Sequence, residues 1–189
     1  ILCYVIVFLV IASGLAYNSS AVVEPNRGGT LRVAIDREPT SLIPCASFDF
    51  PVYSQMFVAL VEYDEQYNPL PYGADSWELS PDGLSWTFHL TDAKWSDGVP
   101  LSSADVKFSW EEGVAKYHPR GKILMSFVDR IETPDPRTAR FRMKNPYPPF
   151  IYYLGINEGG ILPKHVFEGL DIKKDPKAWN PTVTLGPYV

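Results

Sequence analysis

The chain has 189 residues, 46% hydrophobic and 21% charged, enough to bury a core in one domain or two. Its formal net charge is −5, and no stretch gathers Lys and Arg into a basic stripe, which argues against nucleic-acid binding. Aromatic residues reach 14% and there are 18 prolines, against a usual proline share of about 5%, so short strands, loops and aromatic contact surfaces are expected.

The first 23 residues carry no charge. Residues 1–12 form a nearly pure apolar run, followed by the small residues Ser13-Gly14-Leu15-Ala16. That is the pattern of an export signal, with cleavage expected at Gly14-x-Ala16 or Ser19-x-Ala21 and residues 1–21 removed. Polar Asn18, Ser19 and Ser20 close the run before the roughly 20 apolar residues that a membrane-spanning helix needs; an uncleaved N-terminal anchor is the alternative. The chain opens on Ile1 with no basic residue ahead of the run, so it reads as a signal that has lost its start.

Beyond Gly28-Gly29-Thr30, residues 31–35 alternate as a strand would. Pro39 and Pro44 then stop regular structure over residues 37–49, and Cys45, the one cysteine past the apolar run, reads as a small buried residue. Residues 52–62 predict an amphipathic helix with Met56 and Leu60 facing inward. Pro69 and Pro71 interrupt the chain again.

From Asp75 the pattern is β. Trp77 and Leu79 alternate ahead of Ser80-Pro81-Asp82-Gly83, and Trp86, Phe88 and Leu90 alternate after it, which is a hairpin: Pro presets φ and Gly takes the left-handed position. Ser96-Asp97-Gly98 is a second turn. Ser102 opens a helix with Asp105 three residues on, as in a capping box, and Val106, Trp110, Val114 and Tyr117 recur on one helical face. Trp77, Trp86, Phe88 and Trp110 are the expected core anchors. Another hairpin is expected around Pro134-Asp135-Pro136-Arg137, with Phe141 and Met143 on its return strand. A short helix follows over residues 150–154, and Pro163 starts one that runs to Phe167.

Catalytic signatures are missing. His89, His118 and His165 lie far apart with no second ligand at metal-site spacing, and there is no nucleophile elbow, phosphate loop or dinucleotide fingerprint. Asp64-x-Gln66-x-Asn68 has the start of a calcium loop, but Pro69 stands where that loop requires Gly. Glu111-Glu112 and the pair Asp92 and Asp97 read as solvated surface charge. No enzyme, metal or cofactor is expected.

Residues 74–112 carry an ordered series of motifs: Ala74-Asp75-Ser76-Trp77-Glu78, Ser80-Pro81-Asp82-Gly83-x-Ser85-Trp86-Thr87-Phe88-x-Leu90, Lys94-Trp95-Ser96-Asp97-Gly98-x-Pro100 and Ser103-Ala104-Asp105-Val106-Lys107-Phe108-Ser109-Trp110-Glu111. This series resembles the signature region of the family 5 extracellular solute-binding proteins, receptors of ABC importers that include dipeptide-, oligopeptide- and nickel-binding members. Glu38-Pro39-Thr40-Ser41-Leu42-x-Pro44, Ile161-Leu162-Pro163-Lys164-His165 and Gly186-Pro187-Tyr188-Val189 extend the likeness over nearly all of the chain past its apolar start. Two departures stand out: Thr184-Leu185-Gly186 replaces a usual Gly-Thr-Gly, and Ser96 stands where His is common.

The resemblance implies an α+β chain belonging to a two-lobe periplasmic-binding-protein type II-like fold. Residues 28–47 would be a first-lobe segment, residues 48–167 a subdomain inserted in that lobe, and residues 168–189 the return toward the hinge; the second lobe would be absent. It further implies a monomeric, periplasmic or extracellular receptor that takes a peptide or small solute and hands it to membrane permease subunits. An exported sensor domain, or an accessory domain of a secreted hydrolase, is the alternative. Two segments match cleft-facing positions of the family and are the expected ligand contacts: the loop Phe48-Asp49-Phe50, with two aromatics flanking a carboxylate, and Asn157-Glu158 ahead of Gly159-Gly160, where the missing side chains would let a ligand approach the backbone. Tyr117, His118 and Arg120 form a third candidate.

Overall fold

The computed structural model describes residues 32, 34, 35, 38, 39, 41–46 and 50–187. The expected export segment, residues 1–21, lies outside them, as do Phe48 and Asp49. The chain divides into two compact units, residues 1–34 and 35–189. Of the first, Arg32 and Ala34 are described, both exposed and in no regular element. The strand expected over residues 31–35 is therefore not found at Arg32, Ala34 and Ile35. Alternation predisposes a segment to a ladder, but neither sheet of the described residues includes these three.

The second unit is built on a four-stranded antiparallel sheet. Its strands are β3 (Ala74–Leu79), β4 (Ser85–Leu90), β5 (Val128–Asp135) and β6 (Thr138–Met143), in the spatial order β3-β4-β6-β5. Both expected hairpins form. In the β3–β4 turn Gly83 has φ 71°, and Asp82 accepts hydrogen bonds from Ser80 Oγ (2.6 Å) and Leu84 N (2.9 Å). The register sets Trp86 opposite Leu79 and Phe141, and Phe88 opposite Trp77 and Ala139. One sheet face is thus a continuous apolar layer. Trp86, Phe88 and Trp110 are buried as expected, whereas Trp77 is only partly covered. It sits on β3, the edge of the sheet, where one flank has no neighbouring strand among the described residues.

A continuous helical segment packs on this layer: α2 (Ser103–Phe108), a π-helical stretch (Ser109–Val114) and α3 (Ala115–Tyr117). Asp105 ties its start in two directions. One carboxylate oxygen accepts from the Ser102 backbone N–H and hydroxyl, each at 2.8 Å, and the other from the Lys164 backbone N–H at 2.8 Å. Where the helix widens, Ser109 Oγ donates to the Asp105 carbonyl (2.6 Å) and accepts from Leu162 N (2.8 Å). The helix and residues 161–164 are thereby locked together. Trp110 meets Phe141 edge-on at 5.3 Å and Phe150 at 5.5 Å, which puts the centre of the core between helix, sheet and the 3-10 turn Pro148–Tyr153.

The amphipathic helix expected over residues 52–62 is mostly absent. Helix α1 covers only Phe50–Tyr53, and Val61–Tyr63 is strand β1, paired with β2 (Pro69–Pro71). Residues 57–61 are buried on every side, so no face is left for solvent. The backbone is instead shared with three other segments: Ile161 N donates to Val58 O, Gly73 N to Ala59 O and Ala74 N to Leu60 O, at 2.8–3.0 Å, while Val61 N donates to Leu154 O. Asp64 caps the β1–β2 turn by accepting from the Gln66 and Asn68 backbone N–H groups at 2.9 and 2.8 Å, which accounts for the acidic spacing noted there. Helix α4 (Gly121–Phe127) leads into β5.

Candidate functional site

The loop of residues 41–46 is wedged against two close-approach points. Pro44 lies where a side chain on Gly160 would have to go, its Cβ 2.4 Å from that position, and the Cys45 sulfur faces Gly113 of the π-helical stretch. Ile43, Pro44 and Cys45 are buried as a result. Burial pushes the Cys45 thiol up to about 12, the behaviour of a packing residue and not of a nucleophile. Of the first expected contact segment, Phe48-Asp49-Phe50, only Phe50 lies among the described residues. Phe50 opens α1.

Helix α5 (Ile156–Gly159) holds the second segment. It is a single turn nucleated on the Gly155 carbonyl, which accepts from Glu158 N and Gly159 N at 3.3 and 2.7 Å. Asn157 is exposed, whereas Glu158 is buried, with 8% of its surface exposed. A buried carboxylate requires a partner, and Arg120 supplies it: its guanidinium forms an ion pair with Glu158. Arg120 follows the end of α3, where His118 turns extended (φ −71°, ψ 134°) ahead of Pro119. The Arg120 backbone N–H donates to His118 Nδ1 at 3.2 Å. Burial holds the His118 imidazole below its usual range, and the Arg120 charge adds to this, against a hydrogen bond with the Asn157 backbone that favours protonation.

The Arg120–Glu158 ion pair therefore joins the second and third expected segments. Arg120 and Glu158 lie far apart in sequence, and periodicity could not pair them; the two glycines after Glu158 marked the segment but not its partner. Tyr117 belongs elsewhere, its hydroxyl 3.4 Å from Asp171 and its ring beneath the Lys173 ammonium. The acidic pairs are also occupied: Glu111 with Lys107, Glu112 with Lys116, Asp92 with Arg137 and Asp97 with His165. No group of three His, Cys, Asp or Glu side chains among the described residues is placed to hold a metal. A groove of about 400 Å³ passes Lys107, Glu111 and Glu112, a second of about 190 Å³ passes Glu112, Lys116 and Tyr117, and neither is lined by Arg120, Asn157 or Glu158.

Residues 68–189 match the family profile of the bacterial extracellular solute-binding proteins, family 5 Middle, which is more than half of the chain. The chain belongs to this family of solute-binding proteins. The periplasmic oligopeptide-binding protein OppA of Haemophilus influenzae is 37% identical over 115 residues, covering 56% of this chain and 21% of that protein. Among solved structures, NikZ from Campylobacter jejuni in complex with Ni(L-His) superposes with a TM-score of 0.70 at 32% identity, covering 82% of this chain and 31% of that one. AgaA from Agrobacterium tumefaciens R10 in complex with agropinic acid gives 0.63 at 31% identity, with 79% and 30% covered. The fold is thus that of the family 5 periplasmic binding proteins, and the chain spans about a quarter of the length of the curated relatives it matches.

Proposed function

We propose that this chain forms the first wall of the ligand cleft in the substrate-binding component of an ABC importer. In this reading it captures a peptide or related small solute outside the cytoplasmic membrane and presents it to the permease. The observation that carries the reading is the meeting of residues 41–46, the His118–Arg120 corner and the α5–Gly160 segment, in a chain of this family. Family members named above were solved with a nickel-histidine complex and agropinic acid, so the fold accepts small solutes of amino-acid character. Export by removal of residues 1–21, a monomeric state and the absence of catalysis belong to the same proposal.

Capture would work by population shift. A two-lobe receptor closes because ligand touches both lobes only in the closed state, and differential contact is what moves the equilibrium. The test is uptake and binding in a receptor of the relatives' length. Deleting its gene should abolish uptake of one peptide or small solute from the medium, and the purified receptor should bind that solute with a calorimetric signal. A receptor that binds nothing in a panel of di- and tripeptides, opines and metal-histidine complexes, and whose deletion leaves uptake of all of them unchanged, would falsify the proposal.

A further inference from the structure

We infer that the β1–β2 hairpin is a docking finger, with Tyr67 at its tip seating in an apolar socket on a protein face rimmed by cations. For the identity of that partner the inference rests on the importer reading proposed above, in which it is the outward face of the permease. The tip is a tight turn. Tyr67 N donates to Asp64 O at 3.0 Å and Asp64 N to Asn68 O at 3.1 Å, while the Asp64 carboxylate accepts from Gln66 N, Asn68 N and Asn68 Nδ2 at 2.8–2.9 Å. Such a turn is commonly completed by one residue in the left-handed region, a place that glycine or asparagine fills without strain. Tyr67 fills it here at φ 62°, the one non-glycine residue with positive φ among the described residues. A bulky side chain is strained in that conformation, and strain of this kind persists where a residue serves something besides the fold. The Tyr67 ring does not serve the fold. It is 74% exposed, more than any other large hydrophobic side chain among the described residues, and has no ring contact or side-chain hydrogen bond with them.

The finger is stiff at its base. Val61 is fully buried, the Tyr63 hydroxyl donates to Ile151 O at 2.9 Å, and the Tyr63 ring stacks on Tyr152 at 5.9 Å. A side chain held out from a fixed base has little freedom to lose on contact. Strand addition is not the mode of contact, because Pro69 and Pro71 leave Leu70 as the single backbone donor of β2. Recognition is therefore through side chains. Charge then selects the partner. Residues 61–72 contain Glu62, Asp64 and Glu65 and no Lys, Arg or His, and Glu62 and Glu65 are exposed, with no ion pair among the described residues. An anionic lipid surface would repel this tip, whereas a protein socket rimmed by Lys or Arg complements it. Exposed Leu70, opposite Glu62 in the register, widens the apolar contact. Tyrosine suits the role of anchor, being large, stiff and polar only at its end.

The test uses the full-length receptor and its permease, reconstituted with the ATPase subunits in nanodiscs, and reads ATP hydrolysis against receptor concentration. Y67G should raise the half-saturating concentration about tenfold, the effect of one anchor residue. Its solute affinity should be unchanged, and its thermal midpoint should rise because the left-handed strain is gone. Y67N, which suits the same backbone with less freedom, should weaken docking equally, and Y67F, which keeps the ring, should stay within about twofold of wild type. E65K should weaken docking more at low salt than at high salt. Unchanged half-saturation in Y67G and Y67N, with wild type stimulating hydrolysis, overturns this inference alone. A lowered midpoint in both variants would show that Tyr67 serves the fold and also overturns it. Wild-type receptor that stimulates no hydrolysis overturns the importer reading and the docking finger together.

Discussion

Trp110 shows how one side chain organises this unit. It is fully buried, and its indole contacts Phe141 and Phe150, which themselves contact each other at 5.5 Å. Trp110→Ala should cost about 3–5 kcal/mol, the range for deleting a large buried aromatic. The indole N–H has no hydrogen-bond partner among the described residues, so Trp110→Phe should cost markedly less, since volume is lost without a polar contact. Denaturant midpoints for the two variants check the ranking, and equal losses would contradict it. Cys45 gives the pH-dependent counterpart. Its thiol is held protonated up to about 12 by burial, against an ordinary 9.0. A raised folded-state value stabilises the fold below the unfolded value and is lost as pH rises from about 9 toward 12. At pH 8 the thiol should therefore react with Ellman's reagent only as fast as the protein opens, and denaturant should release it at once.

At the scale of elements, the segment of residues 182–186 is held by two neighbours. Ser96 N donates to Thr184 O at 2.8 Å, and Thr184 N donates to Ser96 Oγ at 3.2 Å. Leu185 N and Gly186 N both donate to the Met56 carbonyl, at 3.0 and 2.8 Å. Ser96 and Thr184 thus touch one another, the serine hydroxyl bridging to the Thr184 backbone. Gly186 has no room for a side chain: one there would lie 2.3 Å from Gln55 O and 2.7 Å from the Met56 carbonyl carbon, both rigid backbone atoms. Gly186→Ala should destabilise the unit by about 1–3 kcal/mol through overpacking. Thermal unfolding measures this directly, and an unchanged midpoint would show that residues 182–186 move aside freely.

For the whole molecule, the proposed two-lobe capture makes each lobe supply part of the ligand contacts. In the full-length receptor, Phe48→Ala and Asp49→Ala should each weaken ligand binding without lowering the unfolding midpoint, because two aromatics flanking a carboxylate in a loop between proline-stopped segments are suited to contact and not to core packing. A charge-assisted contact is worth about 1.5–3 kcal/mol, and about 1.4 kcal/mol is a tenfold change, so the loss should be resolved by calorimetry. The 189-residue chain alone should bind the same ligand far more weakly than the receptor, having lost the differential contact that drives closure. Binding of equal strength by both would overturn two-lobe capture for this protein.

The hairpins, the capped helix and the aromatic layer were readable from the chain because their signals are local. Pro81-Asp82-Gly83, Ser102 with Asp105, and the alternation of Trp86, Phe88 and Leu90 each act within a few residues, and the order of these motifs identified the family. Residues 57–61 were misread because burial on all sides erases periodicity: an apolar run satisfied by Ile161, Gly73 and Ala74 looks in sequence like an inward helix face. Trp77 was over-buried for a similar reason, since alternation does not say which strand lies at the edge. The candidate site divides the same way. Asn157 and Glu158 were marked by their glycines, but that Glu158 is buried, and that Arg120 neutralises it, depends on α5 packing beside the end of α3. An ion pair between distant residues is decided by where the elements dock, which no local pattern encodes.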